Sequence, residues 1–512
     1  MKYALYLFLI LLAYFPINGS FAQDYTVRAV VTEKFRTADA AFERLDPGTV
    51  LELGSYRILA GNPNVIAKIN GKEYMISAFD LEHLDFQLND LSTDAIWYQQ
   101  FLASGAMDQL AKRGWDQEVR RELQEEYLNF NETVTLFDDP YLEDYLNQVR
   151  LKVFPEQPVK KHPAVIRIRV YESVEPGTFA CANGDLFIST GLLSTLQSED
   201  ELIAILTQEI AHIQFNHSAA NYRRNLSRES RAAFWSGVLT LAAAVTETAA
   251  ANNAIRNGTF SPVDLYAFGA FTETISLLSS SLAFQIANRL GMKYSLEQEE
   301  EADQAAQVLL NHLKLNDQAL LDAYIRIHEA QKSSRTFELQ TQEEKLYPHL
   351  YRQMVNLGYQ PNTHQLPQGK PAYIDATAMA RRNTAWQAFL GGNYDRTQEL
   401  LTMQLNADAA VLEDYMLQSV LLRQTSNAVS DMKEAMRLLR IAEQEAYALS
   451  PEIHLEKAMV HLRLDEQDGA RRELENYRNA LKKTSAGDNQ GDRMAWVTQM
   501  LEKLSRRKYT DE

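Results

Sequence analysis

The chain has a single cysteine, Cys181, in 512 residues. One thiol cannot close an internal disulfide, so stability has to come from buried apolar cores. Nor can one cysteine build a structural zinc site. Cys181 sits inside a strand pattern, which argues against a catalytic thiol. Low-complexity tracts are also missing, as is any excess of positive charge. The formal net charge is −17. An acidic surface repels phosphate, which excludes a nucleic-acid binder.

The N-terminal apolar run, Ala4 to Phe15, is shorter than a membrane span needs. With Lys2 before it and Ser20-Phe21-Ala22 after it, residues 1–22 read as a secretory signal peptide. No cysteine follows that site, which argues against a lipoprotein anchor. The expected destination is export, meaning the periplasm in a Gram-negative host.

A chain of this length has room for about two to four domains. Residues 24–88 read as a small β-domain. Asp46-Pro47-Gly48 is a turn signal before the alternating strand Thr49 to Leu53. Asn70-Gly71 lies between two strand patterns and accepts the positive φ angles of a type I′ hairpin. This segment resembles a bacterial SH3-like β-barrel. Residues 92–365 mix helices with a few strands. Val165 to Tyr171 has strict period two, and Asn183-Gly184 marks a second hairpin. Ser198 with Glu201 has the spacing of a capping box, and an apolar stripe from Leu202 to Ile213 follows it.

Residues 232–284 contain two apolar stretches. They are compatible with a buried helix pair or with contact at a membrane surface, and embedded Glu247 favours burial. Residues 372–508 are helical throughout. Ala385 to Tyr394 resembles the turn of a tetratricopeptide helix pair, and Ile453 to Ala480 forms another hairpin. Stacks of this kind present a concave surface to an unfolded or partner polypeptide. The fold class is therefore α+β and predominantly helical, with a small N-terminal β-barrel and a C-terminal α-helical repeat domain.

The chemistry concentrates at Gln208-Glu209-Ile210-Ala211-His212. Two histidines four apart on a helix can hold one zinc, with a glutamate between them as general base, in the pattern H-E-x-x-H. Here the first histidine is glutamine. A second acidic segment, Glu299-Glu300-Glu301-Ala302-Asp303, opens a helix capped by Ser295 and Gln298. Taken alone, its carboxylates would simply complement the helix dipole.

Together, these segments resemble peptidase family M48, zinc metallopeptidases of the gluzincin type. The strand-and-turn segment Gly184 to Leu193 and His217 match that family's surroundings of the active-site helix. The resemblance covers about 165–355 and implies a metallopeptidase domain. It implies that His212 and Glu299 are zinc ligands, that Gln208 stands at the degenerate ligand position, and that Glu209 is the catalytic base. It implies that Asp303 orients a ligand, and that His349 and Arg352 contact the transition state. It also implies that the strand at Phe179 is the edge to which substrate adds.

A neutral amide is a poor zinc donor compared with imidazole, so zinc is expected to be weakly held or absent. Without a dication, Glu209, Glu299 and Asp303 crowd His212. Either they take up protons or His212 becomes cationic. The Gln208 amide is expected to donate to Asp303 and Glu299. Two functions follow: a pseudopeptidase scaffold or chaperone in envelope protein quality control, or an active zinc metalloendopeptidase that degrades misfolded envelope proteins.

Overall fold

The computed structural model describes residues 26–59, 62–87, 92–104, 106–107, 135–155, 166–181, 183–228, 293–333, 349–361, 363–407, 409–445, 451–483 and 490–507. The expected signal peptide, 1–22, and the apolar stretches of 232–284 lie outside them. Among the described residues no helix is long and apolar enough to cross a membrane.

The N-terminal strands are β1 (Val27–Val31), β2 (Phe35–Arg36), β3 (Arg44–Leu45), β4 (Val50–Leu59), β5 (Asn62–Ile69), β6 (Lys72–Ser77) and β7 (Leu84–Gln87). Asn70 and Gly71, both at positive φ, turn β5 into β6 as the dipeptide requires. The expected closed barrel is not what forms. Five strands make an open antiparallel sheet, in the order β6-β5-β4-β1-β7, and β2 pairs only with β3. Edge strands β6 and β7 do not bond each other. The buried face of the sheet packs instead against α1 (Thr93–Ala103). Tyr98 of α1 donates to the Gly54 carbonyl at 2.6 Å, and its neighbour Trp97 donates to the Val153 carbonyl at 2.8 Å. A helix covers the apolar face that barrel closure would otherwise have hidden.

The central region follows as α2 (Pro140–Val153), β8 (Arg167–Tyr171), β9 (Thr178–Ala180), β10 (Asp185–Ser189), α3 (Thr190–Thr195), α4 (Glu199–Gln214), α5 (His217–Arg228), α6 (Leu296–His312), α7 (Ala319–Ser333) and α8 (Leu350–Asn356). Its sheet has the order β8-β10-β9, with β8 parallel and β9 antiparallel to β10. Gly191 lets α3 start against the chain after β8. A Cβ there would lie 2.3 Å from the Val174 carbonyl oxygen. Helix α4 is buried from Glu201 to Gln214 and packs on α6, α7 and β9. Its N-cap Ser198 accepts from the Glu201 amide. The reciprocal half of the expected box is displaced by one residue, because Glu201 accepts from Gln197 N and also pairs with Arg326. The box at Ser295 and Gln298 is complete.

The remaining helices are α9 (Pro371–Ala376), α10 (Ala378–Leu390), α11 (Tyr394–Asn406), α12 (Leu412–Thr425), α13 (Val429–Glu445), α14 (Pro451–Arg463), α15 (Gln467–Leu481) and α16 (Gln490–Arg507). Antiparallel pairs α10/α11, α12/α13 and α14/α15 follow one another. The first pair is tied to the central region. Arg396 donates to Thr195 Oγ1 at 2.6 Å, and Ser194 donates to Thr384 Oγ1 at 3.0 Å.

Candidate functional site

Helices α4 and α6 lie side by side, and the i, i+4 spacing on each turns Gln208 and His212 toward Glu299 and Asp303. All four side chains are buried. Gln208 Nε2 donates to Glu299 Oε2 at 2.7 Å and to His212 Nε2 at 3.1 Å. The latter two atoms are 3.4 Å apart. With its Nε2 accepting, His212 carries its proton on Nδ1 and donates it to His217 Nδ1 at 2.8 Å. His217 then donates from Nε2 to Glu301 at 3.0 Å. The tautomers are assigned from this chain of bonds, which is self-consistent with both rings neutral. Burial agrees with it, pushing His212 down to about 3 and His217 down to about 4.

The acids respond in the opposite sense. Burial pushes Glu209 up to about 8 against the pull of its bond from Thr178. It pushes Glu299 up to about 7 and Asp303 up to about 8, with the charge of Glu299 adding to the shift at Asp303. Of the two outcomes open in the sequence, the geometry favours proton uptake by the carboxyls over a cationic His212.

The Gln208 amide reaches Glu299 but not Asp303, contrary to expectation. Asp303 is bonded instead by Tyr324 of α7 at 2.5 Å and by Gln353 of α8 at 3.0 Å. Gln353 also donates to Glu299 at 3.3 Å. Asp303 therefore does not hold His212; His217 does. Neither Gln353 nor Tyr324 is marked by any local motif.

The other expected contacts divide. His349 is half-buried at the start of α8, and its charge holds the Glu299 carboxyl lower than burial alone would. Arg352 is exposed, and its charge acts on the exposed Glu297. Phe179 is buried against Tyr171, with ring centroids 5.8 Å apart. Its strand β9 does lie at the sheet edge, with the backbone of Thr178 and Ala180 turned outward. The Ala180 carbonyl is already taken, by Ser218 at 2.7 Å and Tyr294 at 2.9 Å. The Tyr294 ring also stacks on His212, with centroids 3.5 Å apart.

Zinc requires lone pairs from its ligands. Bonds of about 2.0–2.1 Å in a tetrahedron put two ligand atoms about 3.3 Å apart, close to the His212–Glu299 separation. The Gln208 N–H groups, however, point at the one in-plane lone pair of His212 Nε2 and at Glu299 Oε2, where the ion would otherwise sit. As arranged, these residues do not fit a zinc ion. Among the described residues no group of three or more His, Cys, Asp or Glu could hold one.

A helix carrying Gln208, Glu209 and His212, facing an acidic helix beneath a small mixed sheet, is consistent with the gluzincin class of metallopeptidases. Residues 140–365 match the family model described as Peptidase family M48. No curated protein matches the chain.

Proposed function

We propose that this protein is a peptidase-family-M48-like pseudopeptidase, acting as a scaffold or chaperone for polypeptides in envelope protein quality control. One observation carries this reading. The Gln208 amide nitrogen lies within hydrogen-bond distance of both His212 Nε2 and Glu299 Oε2, and so substitutes donor protons for a metal ion. Without metal no bound water has its pKa lowered to about 7, and no Lewis acid polarises a peptide carbonyl. The envelope setting rests on the signal-like residues 1–22, and polypeptide holding rests on the tetratricopeptide-like helices of 372–508. The peptidase fold and the helical tail would then bind without cutting.

A second reading, an active zinc metalloendopeptidase, is favoured by a different observation. Gln208 Oε1 and Glu209 Oε2 are buried oxygens without a hydrogen-bond partner. A half-turn of the Gln208 amide would exchange its nitrogen and oxygen. His212, Glu299 and the rotated amide would then be the candidate ligands, with Glu209 as the base.

An assay on an unfolded substrate separates the two readings. The pseudopeptidase suppresses aggregation and leaves the substrate intact, with and without added zinc. Cleavage that a chelator stops and Glu209→Gln abolishes would establish the second reading instead.

A further inference from the structure

The two edges of the three-stranded sheet are not alike. Edge β9, beside the site, has its outward Ala180 carbonyl taken by Ser218 and Tyr294. Among the described residues nothing pairs with edge β8 at Ile168, and a cavity of about 420 Å3 runs between this edge and α2. Four consecutive β8-side residues, Ile166 to Arg169, line that cavity. Successive strand side chains point to opposite faces, so a cavity touching all four lies along the strand's edge.

This edge already accepts an added strand. Phe137 N donates to the Val170 carbonyl at 2.9 Å, Glu172 N donates to the Thr135 carbonyl at 2.9 Å, and Leu136 bridges Tyr171 in antiparallel sense. The chain then turns away, because Asp139 caps α2 and Pro140 begins it. Arg167 N bonds the Gly184 carbonyl on the β10 side, so the N–H and C=O of Ile168 point the other way, into the cavity. An open pair of backbone groups continues the line along which 135–137 is bound.

The charge of the walls selects what can fit. Glu143 and Asp144 line the α2 side. On the β8 side, Arg167 is bonded through two nitrogens to both oxygens of Asp185, at 2.7 and 3.1 Å. Among the described residues lining the cavity, Arg169 is the remaining cation against Glu143 and Asp144. We propose that the groove between β8 and α2 binds an extended, lysine- or arginine-bearing polypeptide segment. The segment adds as an antiparallel strand to the edge at Ile168 and turns its basic side chains to Glu143 and Asp144. The proposal holds whether or not the Gln208 cluster cuts peptide bonds, since it shares no residue with it.

Fluorescence anisotropy of the full chain with labelled peptides tests it at low salt. The probes are a short peptide alternating valine and lysine, its valine–glutamate counterpart, and the lysine peptide N-methylated at alternate residues. Saturable binding of the lysine peptide is expected. Binding at least about 10-fold weaker is expected for both other probes, and likewise for the lysine peptide on the Glu143→Lys/Asp144→Lys variant. Both substituted positions are exposed on α2, so thermal unfolding should be unchanged. The N-methylated probe tests the backbone bonds without altering the protein. Absence of saturable binding by the lysine peptide overturns the proposal. So does equal binding of the glutamate or N-methylated peptide, or undiminished binding by the double variant.

Discussion

Two buried polar clusters in this molecule follow opposite rules. In the helical tail, Arg423 of α12 meets Glu456 of α14 through two bonds of 2.6 and 2.8 Å, with both side chains only 2% exposed. Arg382 and Asp414 form a similar pair. In both of these pairs a buried charge meets its opposite. At the Gln208 cluster, Glu209, Glu299 and Asp303 are buried together, and their bonding partners are amides and hydroxyls. In those two pairs charge neutralises charge, whereas among the described residues no Arg or Lys is bonded to the acids of the Gln208 cluster. The second cluster is satisfied by glutamine amides and hydroxyls, and burial holds its carboxyls toward the protonated form.

The comparison breaks most visibly in the tail. Arg423→Ala leaves Glu456 buried and alone, and should destabilise the protein by about 3–5 kcal/mol in chemical denaturation. A cost below 1 kcal/mol would mean that the tail pair is not the balanced case it is taken to be.

Next comes Gln208→His, which replaces a donor amide by a lone pair within reach of His212 and Glu299. Zinc affinity should rise by more than about 100-fold, measured by competition with a chromophoric chelator, since even indirect support of a ligand is worth about 10–100-fold.

The pH dependence of the metal-free protein sharpens the contrast. Glu209, Glu299 and Asp303 have folded-state values raised to about 8, 7 and 8. Their protonation favours the fold most fully below the unfolded carboxyl range, and that contribution is lost as pH rises through 7 to 8. His212 and His217, depressed to about 3 and 4, act in the opposite direction, losing stability as pH falls below about 6.5. Above that value only the acids still titrate, so the denaturation midpoint should fall from pH 6.5 to 8. The slope should be on the order of 1 kcal/mol per pH unit per titrating group. Asp303→Asn should flatten it. A midpoint that rises over that window would show the carboxyls to be ionised in the fold.

The smallest effect belongs to an exposed pair. Arg437→Ala, which removes the bond to Glu434 on the solvent side of α13, should change stability by less than about 0.5 kcal/mol.

Local chemistry was legible in the sequence where one segment carries its own instruction. Asn70-Gly71 specifies its turn, Ser295 with Gln298 caps α6, and the four-residue spacings on α4 and α6 put the site residues on facing sides. Features that depend on distant segments were not legible. Whether five strands close depends on what else can cover their apolar face, and α1 does so here. The partners of Asp303 come from α7 and α8, and the cover over the Ala180 carbonyl comes from Ser218 and Tyr294. No periodicity reports such encounters. Gln208 was recognisable as an odd residue in its motif, but its choice of Glu299 and His212 over Asp303 depends on where Gln353 stands.

The central claim, that an amide has taken the place of a metal, is tested most directly by zinc content. Elemental analysis of the native protein, equilibrated with a small excess of zinc and freed of loose ions, should find far less than one zinc per chain, while Gln208→His treated identically should hold close to one. A full equivalent of tightly held zinc in the native protein, lost on Glu299→Gln, would contradict the account.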